Sequence, residues 1–159
     1  MSTFSREVGV SQAVAQLARL VDLASIRTVD FGARVFENAP STIQEMHVEI
    51  DSQVRAGSLP TGFLVEGQFK VTARTLADEP KEFLELTYRV GAIYQVQAQD
   101  RPPDEVLHAF AQTNGMVHLW PYFRAYVQQA CAQLAVPTIT LPPFRVVSKD
   151  VTPEASMVD

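Results

Sequence analysis

The chain has 159 residues, of which 47% are hydrophobic and only 19% are charged, and its formal net charge is −5. This length fits one domain with its own hydrophobic core. The acidic balance and the scarcity of lysines (Lys70, Lys81 and Lys149) exclude nucleic acid as the main partner, because phosphate neutralisation requires clustered basic side chains.

Cysteine content and hydropathy indicate the cellular compartment. Cys131 is the single cysteine, so the chain can form no internal disulfide and no site with several thiolate ligands. No stretch approaches the roughly 20 apolar residues that span a membrane, and the first residues lack the apolar core of a secretory signal. We therefore expect a cytoplasmic protein without direct membrane insertion. The low charged fraction also suggests that a second copy or a partner covers part of its apolar surface.

An amphipathic helix is predicted over 11–24, within an N-terminal extension of residues 1–24. Ser11 is a good N-cap, and apolar residues follow at steps of three and four. These residues are Val14, Leu17, Ala18, Val21 and Ala24.

Four strands are predicted next, over 26–36, 46–51, 63–76 and 83–97. Short turns join them, so the sheet must be antiparallel, since parallel pairing needs longer crossovers. Gly32 is interpreted as a bulge or bend.

Two further helices are predicted after the strands. Pro102 and Pro103 suit the start of a short helix that ends near Asn114-Gly115, and a longer helix covers 116–135. Pro121 either kinks that helix or lies in the first turn of a new one. An extended segment follows at 137–144, and residues 148–159 are predicted to be a flexible tail. The fold class is therefore α+β, with a four-stranded antiparallel sheet, a short and a long C-terminal helix on one face, and an extra N-terminal helix.

Two motifs in the predicted long helix and after it resemble the SecB family of export chaperones. They are Leu119-Trp120-Pro121-Tyr122-Phe123-Arg124 and Pro137-Thr138-Ile139-Thr140-Leu141-Pro142-Pro143. Val35-Phe36-Glu37-Asn38-Ala39-Pro40 and Gly91-Ala92-Ile93-Tyr94 resemble two further motifs of the family. The resemblance covers residues 25–147, which we interpret as a SecB-like chaperone domain.

The resemblance implies an ATP-independent holdase that binds unfolded client polypeptides and assembles as a homotetramer, a dimer of dimers. It also implies an apolar client-binding groove. Candidate groove residues are Trp120, Tyr122, Phe123, Tyr126, Tyr94 and Phe36. Four of these aromatic residues crowd two helical turns and should not all face one core, so some are expected in the groove or between subunits.

The sequence is compatible with two partners, SecA and an antitoxin. Export members of the family deliver clients to SecA through acidic residues, for which the candidates are Glu37, Asp30 and Glu85. The helix over 11–24 instead resembles SecB-like chaperones that accompany toxin–antitoxin pairs, whose client is an antitoxin. Arg124 is expected to pair with an acidic side chain or a carbonyl at a subunit junction.

The sequence gives no candidate catalytic residue, metal site or cofactor site, so we expect no enzyme. His47, Glu49 and Asp51 alternate on one strand and share a side, which suits a metal site or a solvated face, and we favour the solvated face. Cys131 is interpreted as a small buried hydrophobic residue. The alternative function is a small-ligand module or enzyme with a pocket between a curved sheet and its helices.

Overall fold

Four long antiparallel strands form the sheet in a computed structural model that describes residues 3–36, 39, 46–76, 78–97 and 101–145. The strands are β1 (Val21–Val35), β2 (Met46–Leu59), β3 (Gly62–Thr75) and β4 (Glu82–Val96), in the order β1-β4-β3-β2. The central pair β3 and β4 follows the predicted bounds within one residue. The predicted antiparallel sheet is confirmed.

The N-terminal helix differs from its predicted bounds. Helix α1 covers Thr3–Leu20, and β1 begins at once with Val21, so the prediction of a helix over 11–24 is wrong at both ends. Val21 pairs with Val96 of β4, and the Leu20 carbonyl accepts a hydrogen bond of 2.8 Å from the amide of Gln97. Sheet pairing thus replaces the helical spacing that the sequence suggested. The division of the chain into extension, chaperone domain and tail stays a prediction.

The two sides of the sheet are chemically different. The alternating residues of β4 from Leu84 to Tyr94 are buried, and they pair with buried residues of β3. The opposite side carries charged and polar side chains, among them Lys70, Thr87 and Arg89. We call these the helix side and the outer side.

Two helices and a π-helical turn form one unbroken segment after the sheet. Helix α2 covers Asp104–Phe110, the π turn covers Ala111–Gly115, and α3 covers Met116–Gln133. The break predicted near Asn114-Gly115 is absent from this segment. Pro121 lies inside α3, which continues through it, so the interpretation that a new helix begins there is wrong.

The helices cover the centre of the sheet and one margin. Helix α3 lies over β4 and β3, whereas α2 and the π turn lie against β2, and α1 packs against α2 through the buried Leu17. The predicted extended segment is confirmed, with Ile139 and Leu141 buried. The indole Nε1 of Trp120 donates a 2.7 Å hydrogen bond to the Pro142 carbonyl and ties this segment to α3.

Within the described residues, no helix is long and apolar enough to cross a membrane.

Close helix–sheet packing depends on a missing side chain in β3. A Cβ atom on Gly67 would lie 2.7 Å from Cε2 of Phe69 and 3.1 Å from Cδ1 of Leu119. These distances are too short for carbon atoms, and the Phe69 ring is itself stacked on Phe123 at 4.4 Å. Gly67 therefore lets α3 approach the sheet.

We expect Gly67→Ala to lower the free energy of unfolding by about 1–3 kcal/mol, because the added methyl group overpacks the helix–sheet contact. Gly57→Ala is the matched control, since a Cβ on this strand glycine meets nothing within 4 Å. Urea unfolding of both variants measures the effect. Equal stability of the two variants would contradict this account of the packing.

Candidate functional site

A continuous row of six aromatic rings crosses the helix side from α3 to the edge strand β1. Its members, in spatial order, are Trp120, Phe69, Phe123, Tyr88, Tyr126 and Phe31. Their successive centroid distances are 6.1, 4.4, 6.2, 4.7 and 5.8 Å. These separations suit favourable ring contacts. We call this set the aromatic row.

Tyr126 joins α3 to β1 at one end of the row. Its hydroxyl donates a 2.8 Å hydrogen bond to the carbonyl of Gly32, and the Tyr88 hydroxyl lies 2.8 Å from Oγ1 of Thr28. Burial raises the pKa of Tyr126, and the neighbouring Tyr88 and Cys131 raise it further. The hydroxyl therefore keeps its proton and remains a donor to β1.

Beyond Tyr126, the helix side of β1 is open. Its side chains form an apolar strip that we call the β1 strip, consisting of Leu23, Ile26, Phe31, Ala33 and Val35. Phe31 is 69% exposed, Leu23 43% and Val35 38%. Leu23 and Val35 are twelve positions apart, which corresponds to about 40 Å along a strand. This length and exposure suit contact with an extended polypeptide.

Four of the predicted groove residues keep accessible surface. Tyr122 is 47% exposed on α3, whereas Trp120 and Tyr126 are half-buried at opposite ends of the helical part of the aromatic row. Tyr122 lies one turn before Tyr126, so the two side chains are neighbours on the helix surface. Phe36 is half-buried just after β1, with the Arg34 guanidinium 5.8 Å from its ring centre.

Phe123 and Tyr94 are corrections to the predicted groove. Phe123 is fully buried between Phe69 and Tyr88, and Tyr94 is 1% exposed and stacked on Phe63 at 5.0 Å. Neither ring presents surface to a client in this chain. The four aromatic residues of α3 do not all face one core, as expected from their crowding: Trp120, Phe123 and Tyr126 contact the aromatic row, and Tyr122 turns outward.

Sequence reasoning missed the β1 strip. Two register shifts, between Leu23 and Ser25 and between Thr28 and Asp30, insert Ala24 and Val29 into β1 and break the alternation that would have grouped its members. The predicted irregularity at Gly32 is wrong, since Gly32 pairs in register with Thr87. Phe31 itself, a large aromatic residue in a predicted first strand, was the available signal.

Two of the three candidate SecA-binding carboxylates, Asp30 and Glu85, lie on the outer side and are paired with basic side chains. Asp30 accepts a hydrogen bond of 2.6 Å from Arg89, and Glu85 lies 3.8 Å from Nζ of Lys70. Glu37 falls outside the described residues. The described part of this surface therefore carries paired acidic and basic side chains and is not an acidic patch.

The candidate metal-site residues also lie on the outer side. His47 and Glu49 are about half exposed, with 3.5 Å between Nε2 and Oε1, and Asp51 is exposed as well. The described residues hold no group of three side chains that could bind a metal. Cys131 is fully buried, as predicted, and burial raises the pKa of its thiol against a lowering by a backbone hydrogen bond from Ile139.

The chain is similar in sequence to two curated proteins. SecB-like chaperone MT2006 of Mycobacterium tuberculosis (strain CDC 1551 / Oshkosh) is 30% identical over 106 residues, and SecB-like chaperone Rv1957 (strain ATCC 25618 / H37Rv) is 31% identical over 106 residues. Each alignment covers 64% of this chain and 55% of the relative, so the chain spans about half the length of the curated relatives it matches.

A solved structure has the same fold. It is the M. tuberculosis Rv1957 SecB-like chaperone in complex with a ChAD peptide from the Rv1956 HigA1 antitoxin, with a TM-score of 0.77 and 22% identity. The match covers 86% of this chain and 99% of that one. The chain is thus similar in sequence to SecB-like chaperones and has the fold of one of them. The predicted SecB-like resemblance and α+β fold are confirmed, although no family model matches.

A buried polar pair in this SecB-like core gives a pH prediction. The Tyr94 hydroxyl and Nδ1 of His118 are 2.7 Å apart, and burial lowers the pKa of His118 while it raises that of Tyr94. The unfolded chain thus binds a proton at His118 more readily than the folded chain. This contribution to stability is complete above about pH 6.5 and is lost as the pH falls through the lower folded pKa.

We expect His118→Asn to flatten the fall in unfolding free energy between about pH 7 and pH 5, because Asn does not titrate and can still bond to Tyr94. Urea unfolding at several pH values provides the measurement. His108→Asn, on the exposed side of α2, is the control that leaves the Tyr94–His118 contact intact. A steeper or unchanged slope in His118→Asn would refute the assignment.

Proposed function

We propose that this chain is an ATP-independent holdase that binds unfolded polypeptides along the β1 strip, with an antitoxin among its clients. The observation that carries the proposal is the exposed Phe31 beside the buried aromatic row. The names of both curated relatives support a chaperone role. The antitoxin peptide bound to the Rv1957 structure supports an antitoxin client.

The energetics of the β1 strip suit this role. A large apolar side chain that becomes fully buried contributes roughly 1.5–3 kcal/mol, whereas association itself costs at least about 4 kcal/mol in lost freedom. One contact is therefore insufficient, but several contacts along an extended client bind it. Apolar contacts impose few directional demands, so clients of different sequence can use the same surface.

Assembly is a further part of the proposal. We expect a homotetramer, arranged as a dimer of dimers, in the cytoplasm, and we expect no catalysis and no cofactor. Arg124 is half-buried and makes no ion pair with the described residues, which supports its predicted place at a subunit junction. Its partner would then belong to another copy of the chain.

The observations favour an antitoxin client over delivery to SecA. Asp30 and Glu85 each lie beside a base, so their charge is already compensated within the chain. The small-ligand alternative needs an enclosed pocket between sheet and helices. One cavity formed by the described residues, of about 400 Å³, is an open depression and not an enclosed pocket, and its lining includes Gln53, Gln68 and Lys70 of the outer side.

We expect Phe31→Ser to weaken binding of a permanently unfolded client by about tenfold or more, since roughly 1.5–3 kcal/mol of burial is lost. Leu76→Ser is the matched control, because Leu76 is 56% exposed but lies outside the β1 strip. Calorimetric titration at low and high salt provides the measurement. Binding by the parent chain should tolerate salt and give a negative heat-capacity change.

Two results would contradict the holdase proposal. One is the absence of binding by the parent chain at either salt concentration. The other is equal weakening by Phe31→Ser and Leu76→Ser, which would mean that the β1 strip has no special part in client binding.

A further inference from the structure

The helix side of β1 has a regular repeat, although its residues are unevenly spaced in the sequence. The helix-side residues of β1 pair with every second residue of β4, from Tyr94 to Leu84. They are, in order, Leu23, Ile26, Thr28, Phe31, Ala33 and Val35. The register shifts absorb Ala24 and Val29, so the six positions follow one another at the spacing of alternate strand residues, roughly 6.4–6.8 Å.

This repeat matches one form of polypeptide. An extended chain presents every second side chain on the same side, also at roughly 6.4–6.8 Å, whereas a helix is about 10–12 Å across and presents side chains at steps of three and four. The β1 strip is open to solvent, since Phe31 is 69% exposed. Client side chains that point away from the strip therefore stay in water.

The chain itself contains one segment packed in this alternating manner. In the extended segment after α3, Pro137, Ile139 and Leu141 are buried, whereas Thr138 and Thr140 between them are exposed. No strand pairing holds this segment in place. Its alternate apolar side chains and a few hydrogen bonds to α3 are sufficient to dock an extended polypeptide beside that helix.

This segment occupies only one flank of α3. The indole of Trp120 donates to the Pro142 carbonyl, and the thiol of Cys131 has a backbone hydrogen bond with Ile139. Tyr126 lies at the other end of the aromatic row, on the flank that faces β1. Among the described residues, no extended segment fills this second flank, and the β1 strip forms its open floor.

We propose that the β1 strip selects extended client segments in which apolar side chains alternate with polar ones. The inference deepens the holdase proposal and rests on it, because it specifies the class of segment that the same surface binds. The apolar side chains of such a segment contact successive positions of the strip. The polar side chains between them remain hydrated, as Thr138 and Thr140 do beside the opposite flank of α3.

The test compares two short labelled peptides that contain the same numbers of leucine and serine. One has leucine at every second position, and the other has its leucines at the helical steps of three and four. Fluorescence anisotropy measures their binding to the full chain. We expect the alternating peptide to bind at least about tenfold more tightly, because an extended chain of the other peptide leaves some leucines in water.

Substitutions on the two sides of β1 locate the binding surface. Phe31→Ser and Leu23→Ser, at exposed positions of the strip, should each weaken binding of the alternating peptide by about tenfold. Val29→Ser is the matched control on the same strand. Val29 is 46% exposed but lies on the outer side, where its Cγ2 approaches Gly91, so this variant should keep the parent affinity.

The outcomes separate this inference from the holdase proposal. Equal affinity for the two peptides, or tighter binding of the helically spaced one, would overturn the selection of alternating segments and leave the holdase proposal standing. Failure of both peptides to bind while an unfolded client still binds would overturn it as well. A preference that Phe31→Ser and Leu23→Ser leave unchanged would overturn its assignment to the β1 strip. Absence of binding by peptides and unfolded client alike would contradict the holdase proposal itself.

Discussion

The width of the sheet relative to one helix determines which surface stays open. Strand axes lie about 4.8 Å apart, so four strands separate the outer axes by about 14 Å, whereas a helix with its side chains is about 10–12 Å across. Helix α3 lies over β4 and β3, and α2 with the π turn lies against β2. The remaining edge strand, β1, is reached by Tyr126 but not covered. Its helix side therefore keeps apolar residues in contact with solvent.

The aromatic row fixes the open edge strand β1 to the core. Phe123 is fixed between Phe69 and Tyr88, and Tyr126 stacks on Tyr88 while it donates to the Gly32 carbonyl. The position of β1 is thereby held by the same rings that fill the core. In the proposed holdase function, a client that reaches Phe31 would meet a preorganised surface, which lowers the entropic cost of binding. The bulges in β1 assign Phe31 and Val29 to opposite sides, so one edge strand serves two different surfaces.

The sequence predicted the sheet well because its signals were local. Alternation in β4 and the short turns between strands specified an antiparallel sheet, and the segment after the long helix was correctly expected not to be helical. The helix before β1 was less predictable, since Val21 and Ala24 continue a helical pattern, and pairing of Val21 with Val96 overrides it. The bulges in β1 were likewise not predictable, because an extra residue breaks the period-two alternation by which strands are recognised. Phe123 and Tyr122 are adjacent aromatic residues, but Phe123 is buried and Tyr122 is exposed. Which of the two faces the sheet depends on the angle at which α3 lies on it.

Methyl NMR of the full chain during titration with an unfolded client tests directly whether clients bind along the β1 strip. Resonances of Leu23, Ile26 and Val35 should shift or broaden at the lowest client ratios, while those of Val29, Leu64 and Ile93 on the outer side stay in place. Client-dependent changes confined to the outer side, or equal changes on both sides, would contradict binding at the β1 strip.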